Sequence, residues 1–227
     1  MDQAMSDAAL LKAAARKSTQ PNVRGQLSRF DWLEAALSIF LNEGIDSIRI
    51  TRLSNDLGVS RGSFYWHFDN REDLIDALVE FWRSKNTQGI TSTVEQVNSL
   101  SEGILNFFET CIDSSKFDPR LDLAIREWAR RSDIIRKLVA SEDDQCIDAL
   151  SRFYQRFDYS MPDALIRARV LYFSQIGFYA LEVTESLTTR LSYTESYFEC
   201  FTGEKLSKTN AKRFEKHILT TYRDQII

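Results

Sequence analysis

The sequence predicts an all-α protein, and three observations carry that prediction. Its 227 residues include only 8 Gly and 3 Pro, under half of the roughly 12% of average usage. Strand-rich folds spend those residues on many tight turns, so their scarcity favours long helices with few connections. Apolar residues recur at three- and four-residue steps, and no segment alternates with the period of a strand. Cap-forming residues precede several of the apolar stripes.

The elements follow in order. Residues 1–28 carry Lys12, Arg16, Lys17 and Arg24 against Asp2 and Asp7, and Pro21 and Gly25 would break a helix. They read as a mobile basic arm with a short helix over 7–17. Phe30, Leu33, Leu37, Phe40 and Leu41 then share one helical face, and Gly44 sits where a helix C-cap takes positive φ. Thr51 is expected to cap a helix over 52–57, Gly58 to turn the chain, and Ser60 to cap a second short helix over 61–67. Asn70-x-x-Asp73 opens a helix over 70–85 with Leu74, Leu78 and Phe81 on one face. Further amphipathic helices are expected over about 97–114, 119–130, 132–157, 163–187, 193–201 (closing at Gly203) and 207–226. The last covers either a dimer edge or a domain end.

Composition excludes several classes. The chain is net −4, which argues against coating nucleic acid by bulk charge but leaves room for a local basic surface. No run approaches the roughly 18 apolar residues of a membrane helix. Cys111, Cys146 and Cys200 are odd in number and widely spaced, as expected of reduced thiols in a cytoplasmic protein. With only His67 and His217, and no CxxC pair, neither a metal site nor a cofactor is expected. Ser63 lies one turn from His67, but no orienting acid stands beside them. No catalytic residue is assigned, and the chain is not expected to be an enzyme.

The informative stretch is 51–67: two short helices about a Gly turn, the spacing of a helix-turn-helix. Leu53, Leu57, Val59, Phe64 and Phe68 would face inward, leaving Arg61, Gly62, Ser63, Tyr65, Trp66 and His67 outside. Arg can fork to a guanine edge, Ser and Tyr can donate to phosphates, and Gly permits close approach. The same corner also occurs in ordinary bundles, where Tyr65 and Trp66 would be core aromatics. Charge placement favours nucleic acid: over 47–71, Arg49, Arg52, Arg61 and Arg71 face only Asp56 and Asp69.

The run from Ile50 to Phe68, with Leu57-Gly58-Val59-Ser60 and Phe64-Tyr65-Trp66-His67-Phe68, followed by Asn70-Arg71-Glu72-Asp73-Leu74, closely resembles the N-terminal domain of TetR-family transcriptional regulators. The likeness covers about residues 30–82, and the remainder matches loosely through helix count and the segment AIREWA at 124–129. It implies that Arg61, Gly62 and Tyr65 approach base edges or the flanking sugar–phosphate. Thr51, Ser63, Trp66 and His67 would contact phosphates, and Arg71, where the family usually has Lys, would reach another. With Arg52 and Ser60 these complete the expected DNA-binding set. Ile50, Ser54 and Phe64 depart from the residues many members carry. The arm is longer than typical; it either follows the minor groove or is a tail without structure.

One recognition helix reads few base pairs, so a two-fold dimer on half-sites about 34–36 Å apart is expected. Ser174, Gly177, Leu181 and Thr184 share one face, and Tyr197, Phe198 and Phe201 follow; these seven form the expected homodimer interface. The same faces could pack within one chain. Phe107, Phe108, Cys111, Trp128, Phe153, Tyr172, Gln175, Ile176 and Tyr179 supply an apolar wall with a few polar atoms, and the resemblance turns that wall into an expected pocket for a small apolar or aromatic effector. Glu127, Arg126 or Arg169 would select a polar group if one points inward. The expected architecture is a three-helix helix-turn-helix domain over 29–72 joined to a larger helical ligand-binding and dimerisation domain over 73–227. The implied function is a ligand-responsive regulator, a repressor binding a palindromic double-stranded DNA operator as a homodimer, with no membrane partner. The alternative is a DNA-binding dimer without a small-molecule effector, controlled by a partner protein.

Overall fold

The computed structural model describes residues 27–222; the expected helix over 7–17 lies outside them. All regular structure among the described residues is helical. The described residues form two compact units, one within residues 27–84 and 120–135, the other within residues 85–119 and 136–222.

In the first unit, α1 (Arg29–Glu43) opens with a reciprocal cap: the Ser28 hydroxyl accepts from the Asp31 N–H, and the Asp31 carboxylate accepts from the Ser28 N–H at 2.6 Å. It ends at Gly44, where φ is +84°. A 3-10 turn over Ile45–Ser47 leads into α2 (Ile50–Asp56). Arg49, not Thr51, is the N-cap of α2, and it makes no side-chain cap bond; Thr51 lies inside the helix. Gly58 (φ +67°) turns the chain into α3 (Arg61–Phe64). This helix is a single turn rather than the expected seven residues, and Ser60 stands at its N-cap without a side-chain bond. The turn continues through Tyr65–His67 and is closed by Phe68 N–H donating to the Phe64 carbonyl at 3.1 Å. α4 (Arg71–Trp82) is capped by the Asn70 side chain, which accepts from Asp73 N–H at 2.9 Å.

Trp32, Phe64 and Phe68 centre the frame of this unit. Phe64 is fully buried, edge-on to Trp32 at 5.3 Å and stacked on Phe68 at 5.5 Å. The expected domain boundary falls at residue 72, whereas the compact unit runs to residue 84 and takes back 120–135. Residues of α7 (Pro119–Ala129) explain this. Trp82 donates its indole N–H to Asp122 at 3.0 Å, Asp122 also accepts from Arg126 at 2.6 Å, and Trp128 packs edge-on to Phe40 at 6.1 Å.

The second unit holds α5 (Gln88–Thr93), α6 (Leu100–Ile112), most of α8 (Asp133–Gln155), α9 (Met161–Ala180), α10 (Leu187–Ser192), α11 (Thr194–Thr202) and α12 (Lys208–Thr221). Of two expected helices, one runs on and one ends early. The one expected over 70–85 does not end there: after Trp82 it passes into a π-helical segment over Arg83–Thr87 that leads directly into the helix of Gln88–Thr93. Inside the second unit the buried Asn86 side chain donates to the Asp118 carbonyl at 2.9 Å and accepts from its N–H at 3.2 Å, which ties the π-helical segment to the loop that precedes residue 119. The helix expected over 163–187 stops at Ala180, because Glu182 takes φ +51° and Ser186 caps a new helix by accepting from Thr189 N–H.

Ile104, Phe107, Leu150, Phe153, Tyr154, Leu171, Phe198 and Ile218 form the core of this unit. Gly103 is required there: a Cβ at that position would stand 2.2 Å from the Phe153 ring. α12 closes the core over α6, burying Phe214, Ile218 and Tyr222. The Tyr222 hydroxyl donates to Glu109 at 2.7 Å and Asp113 at 3.1 Å, and His217 meets Glu109 at 3.0 Å. These contacts pack the segment onto the core of the second unit.

Candidate functional site

The frame of α1, Phe64 and Phe68 turns one set of side chains outward. Thr51, Ser60, Arg61, Gly62, Tyr65 and Trp66 are exposed, Trp66 by 82%, and Ser63 and His67 are half-buried beside them. A large aromatic left so open has no packing reason to be there, which sets it apart from the core aromatics that the same corner could have held. Tyr65 lies edge-on to Phe64 at 5.4 Å, which fixes its ring while leaving it 59% exposed.

The four arginines of this region divide into two pairs. Arg52 forks onto Glu43 with two contacts of 2.5 Å and also meets Asp56 at 3.5 Å. The Glu43 hydrogen bond drives the guanidinium pKa upward, so Arg52 stays charged but largely neutralised. Arg71 turns inward: its Nε donates to the Ile48 carbonyl at 2.7 Å and one Nη to the Ile45 carbonyl at 2.8 Å. It thereby ties the start of α4 to the loop before α2. Arg49 and Arg61 are exposed and form no ion pair among the described residues. Arg49, absent from the sequence-derived contact set, therefore joins Arg61 as an available cation. Its signal was the basic spacing over 47–71.

The second unit contains a cavity of about 90 Å³ lined by Phe107, Phe108, Ile112, Leu171, Ser174, Gln175, Phe178, Glu185, Arg190, Leu191, Thr194, Tyr197 and Phe201. Of the residues expected to form a pocket, Phe107, Phe108 and Gln175 line it. The others lie elsewhere. Trp128 belongs to the first unit; Phe153 faces Gly103; Tyr172 donates to Asp143 at 2.6 Å. Tyr179 stacks on Phe117 at 5.6 Å and gives its hydroxyl hydrogen to the Cys111 carbonyl, while Ile176 packs on the core. Burial pushes the Cys111 thiol up to about 12, so it stays protonated. Arg126 and Glu127 are taken up by ion pairs within the first unit, and Arg169 is exposed. Arg190 is the cation at the cavity, and it went unread because 181–192 looked like the end of a helix and its loop.

The residues expected at a dimer interface also separate. Ser174, Leu181, Thr184 and Tyr197 are exposed and Gly177 is half-open, but Phe198 and Phe201 are core residues. Ser174, Tyr197 and Phe201 line the cavity as well. The outer side of α9 carries Ile166, Val170 and Phe173, all about half-exposed, continuing through Gly177 to Leu181 at 77% exposure. Their steps of four, three, four and four residues make one apolar stripe. Among the described residues no group could hold a metal ion, and no helix is long and apolar enough to cross a membrane.

Residues 33–78 match the sequence profile of bacterial regulatory proteins of the tetR family. The chain is 24% identical over 146 residues to the tetracycline repressor protein class A from transposon 1721 of Escherichia coli, covering 64% of this chain and 62% of that protein. It is 34% identical over 70 residues to the HTH-type transcriptional regulator AcrR of Shigella flexneri, covering 31% of each. The chain thus spans about six-tenths of the first relative and three-tenths of the second. Its fold is similar to the ketosteroid transcriptional regulator KstR2 of Mycobacterium tuberculosis, with a TM-score of 0.58 at 17% identity over 83% of this chain and 98% of that one.

Proposed function

We propose, from the premise that residues 33–78 are the helix-turn-helix domain of a tetR-family regulator, that the whole chain is a homodimeric transcriptional repressor released from a palindromic operator by a small-molecule effector. The observation that carries the reading is the outward face of α3 within that matched segment. Arg61, Tyr65 and Trp66 stand free on a buried aromatic frame, a geometry suited to base edges and phosphates in a major groove. Thr51, Ser60, Gly62, Ser63 and His67 border this face, and Arg49 adds a phosphate contact. Arg52 and Arg71 act differently from the expectation: their protein partners make them supports of the corner, with Arg71 setting the orientation of α4. The relatives are transcriptional regulators, which supports a non-enzymatic role in the cytoplasm.

The apolar stripe of α9 supports the dimer. A lone helix exposing Ile166, Val170, Phe173 and Leu181 has a natural partner in its two-fold copy, and such a pair places two recognition helices on successive major grooves. Effector binding in the second unit would move the two domains off that spacing. A coupling of about 1–3 kcal/mol between the sites gives a 5- to 150-fold change in operator affinity. The small cavity also favours a second reading, a dimer controlled by a partner protein, since about 90 Å³ is less than the roughly 150 Å³ of a cavity that takes benzene.

The decisive experiment is a mobility-shift titration on DNA flanking the gene at fixed salt. Wild type should shift a palindromic fragment, and the double variant Arg61→Ala, Tyr65→Ala should lose the shift while melting at an unchanged temperature. Equal binding by that variant would sink the recognition-face assignment. Phe173→Glu should sediment as a monomer and lose operator affinity with Arg61 and Tyr65 intact.

A further inference from the structure

The cavity of the second unit holds a chemical anomaly. Most of its wall is apolar, from Phe107, Phe108, Leu171 and Phe178, yet two hydrogen-bond donors on that wall are shut off from solvent without a partner: Arg190 Nη1 and Gln175 Nε2. The Arg190 guanidinium lies over the Phe178 ring at 4.7 Å, so its flat face is occupied and its N–H edge is left. Arg190 and Gln175 both interact with the Tyr179 hydroxyl oxygen, whose own proton goes to the Cys111 carbonyl, but neither Arg190 Nη1 nor Gln175 Nε2 makes a hydrogen bond of normal geometry. Glu185 also lines the cavity but forms no ion pair with Arg190.

An orphaned amide donor is costly and an orphaned charged one more so, and a guanidinium cannot escape by losing its proton. A buried arrangement of this kind is expected to be completed by an acceptor. The acceptor that fits must bring negative charge to a fork-shaped cation, take a further bond from an amide N–H, and carry an apolar body for the phenylalanine wall.

We propose that this cavity is a binding site for a small organic carboxylate, its two oxygens taken by Arg190 and Gln175 and its hydrocarbon part packed among Phe107, Phe108 and Leu171. The proposal deepens the effector reading above and rests on it for its regulatory meaning, but the site itself is independent of DNA. The volume, about 90 Å³, restricts the ligand to a few carbons unless the rim opens. Tyr197, 46% exposed on that rim, is the side chain whose rotation would admit a benzoate-sized acid. Selection is by charge as well as size: a neutral amide or alcohol of the same shape leaves the guanidinium unpaired, and that penalty excludes it.

The test is calorimetry on the full-length protein without DNA, using butyrate, benzoate and phenylacetate, each beside its neutral amide. The acids should bind at millimolar concentration or tighter and raise the melting temperature; the amides should do neither. Arg190→Gln should weaken the acids roughly 10- to 100-fold, as expected for loss of a charge-assisted contact. Arg190→Lys should restore part of that loss, and Gln175→Leu should weaken binding without abolishing it. Glu185→Gln should tighten binding by removing a like charge from the cavity wall. No binding by any of the acids, equal binding by acids and amides, or unchanged acid affinity in a folded Arg190→Gln variant would each overturn the site. Acid binding that leaves operator affinity untouched would uphold the site and reject the effector reading. Operator binding without acid binding would reject the site and leave the DNA-binding reading intact.

Discussion

In the first unit the exceptions to apolar-inside, polar-outside burial lie mostly on the surface, where Tyr65 and Trp66 stand open beside Arg49 and Arg61; within it, the Trp32 indole N–H is buried without a hydrogen bond. In the second unit they lie in both places: Arg190 and Gln175 are unsatisfied within, and the α9 stripe from Ile166 to Leu181 is uncovered without. The difference separates three tasks by where the local rule is broken. An outward aromatic beside free cations suits a polyanion, an uncovered apolar stripe suits a copy of itself, and an unpaired interior donor suits a small acceptor.

If that separation is real, frame and face of the first unit must respond differently. Phe64→Ala removes a fully buried ring that touches Trp32 and Phe68, and should cost about 3–5 kcal/mol in urea unfolding. Arg61→Ala, on the exposed face, should stay within about 0.5 kcal/mol while lowering the salt slope of DNA binding by about 1. Similar stability losses for the two would erase the distinction between frame and face.

The second unit can be probed from inside. Gly103→Ala puts a methyl 2.2 Å from the Phe153 ring, which must shift, so overpacking of about 1–3 kcal/mol is expected; a neutral effect would show the core near the cavity to be loose. Arg71→Met tests whether this arginine supports the corner rather than touching DNA first. Loss of its bonds to the Ile45 and Ile48 carbonyls should cost about 2 kcal/mol, and unchanged stability with a lowered salt slope would reassign it to phosphate.

The smallest expected effect concerns the α12 cover. At Glu109 burial opposes ionisation, but hydrogen bonds from His217 and Tyr222 and the charge of Lys116 outweigh it; at Asp113 bonds from Ser115 and Tyr222 and the same lysine do so. Both carboxyls are therefore held below their ordinary pKa. Their stabilisation is complete above the unfolded value near about 4 and is lost as pH falls through the folded values. Tyr222→Phe should cost about 1.5 kcal/mol at neutral pH and progressively less in acid. A cost that did not change with pH would mean that packing, not the carboxylates, holds the helix end.

Much of the first unit was legible because its signals are local. Gly44, Gly58 and Asn70 act within a few residues of themselves, and the inward and outward sides of 51–68 follow from helical spacing. What escaped there depended on partners far along the chain: Arg52 meets Glu43 nine residues back, and Arg71 reaches carbonyls 23 and 26 residues away. In the second unit α5 was hidden because Gly89 and the β-branched residues after it resemble a loop. Burial of Ile90 and the close approach of Gly89 to the Lys116 carbonyl hold it helical. Phe198 and Phe201 read as outward residues, yet both are buried, since helical spacing defines a face but not what covers it.

The helical class, the helix-turn-helix corner and the outward set at its tip were legible in the residue order, because hydrophobic period, caps and glycines act over a turn or two. Tertiary structure alone decided which arginines are spent within the protein, which aromatics fall inside, and that Arg190 and Gln175 meet unpaired at one cavity. Those outcomes depend on pairs of groups brought together across tens of residues, and a linear pattern carries no record of such distances.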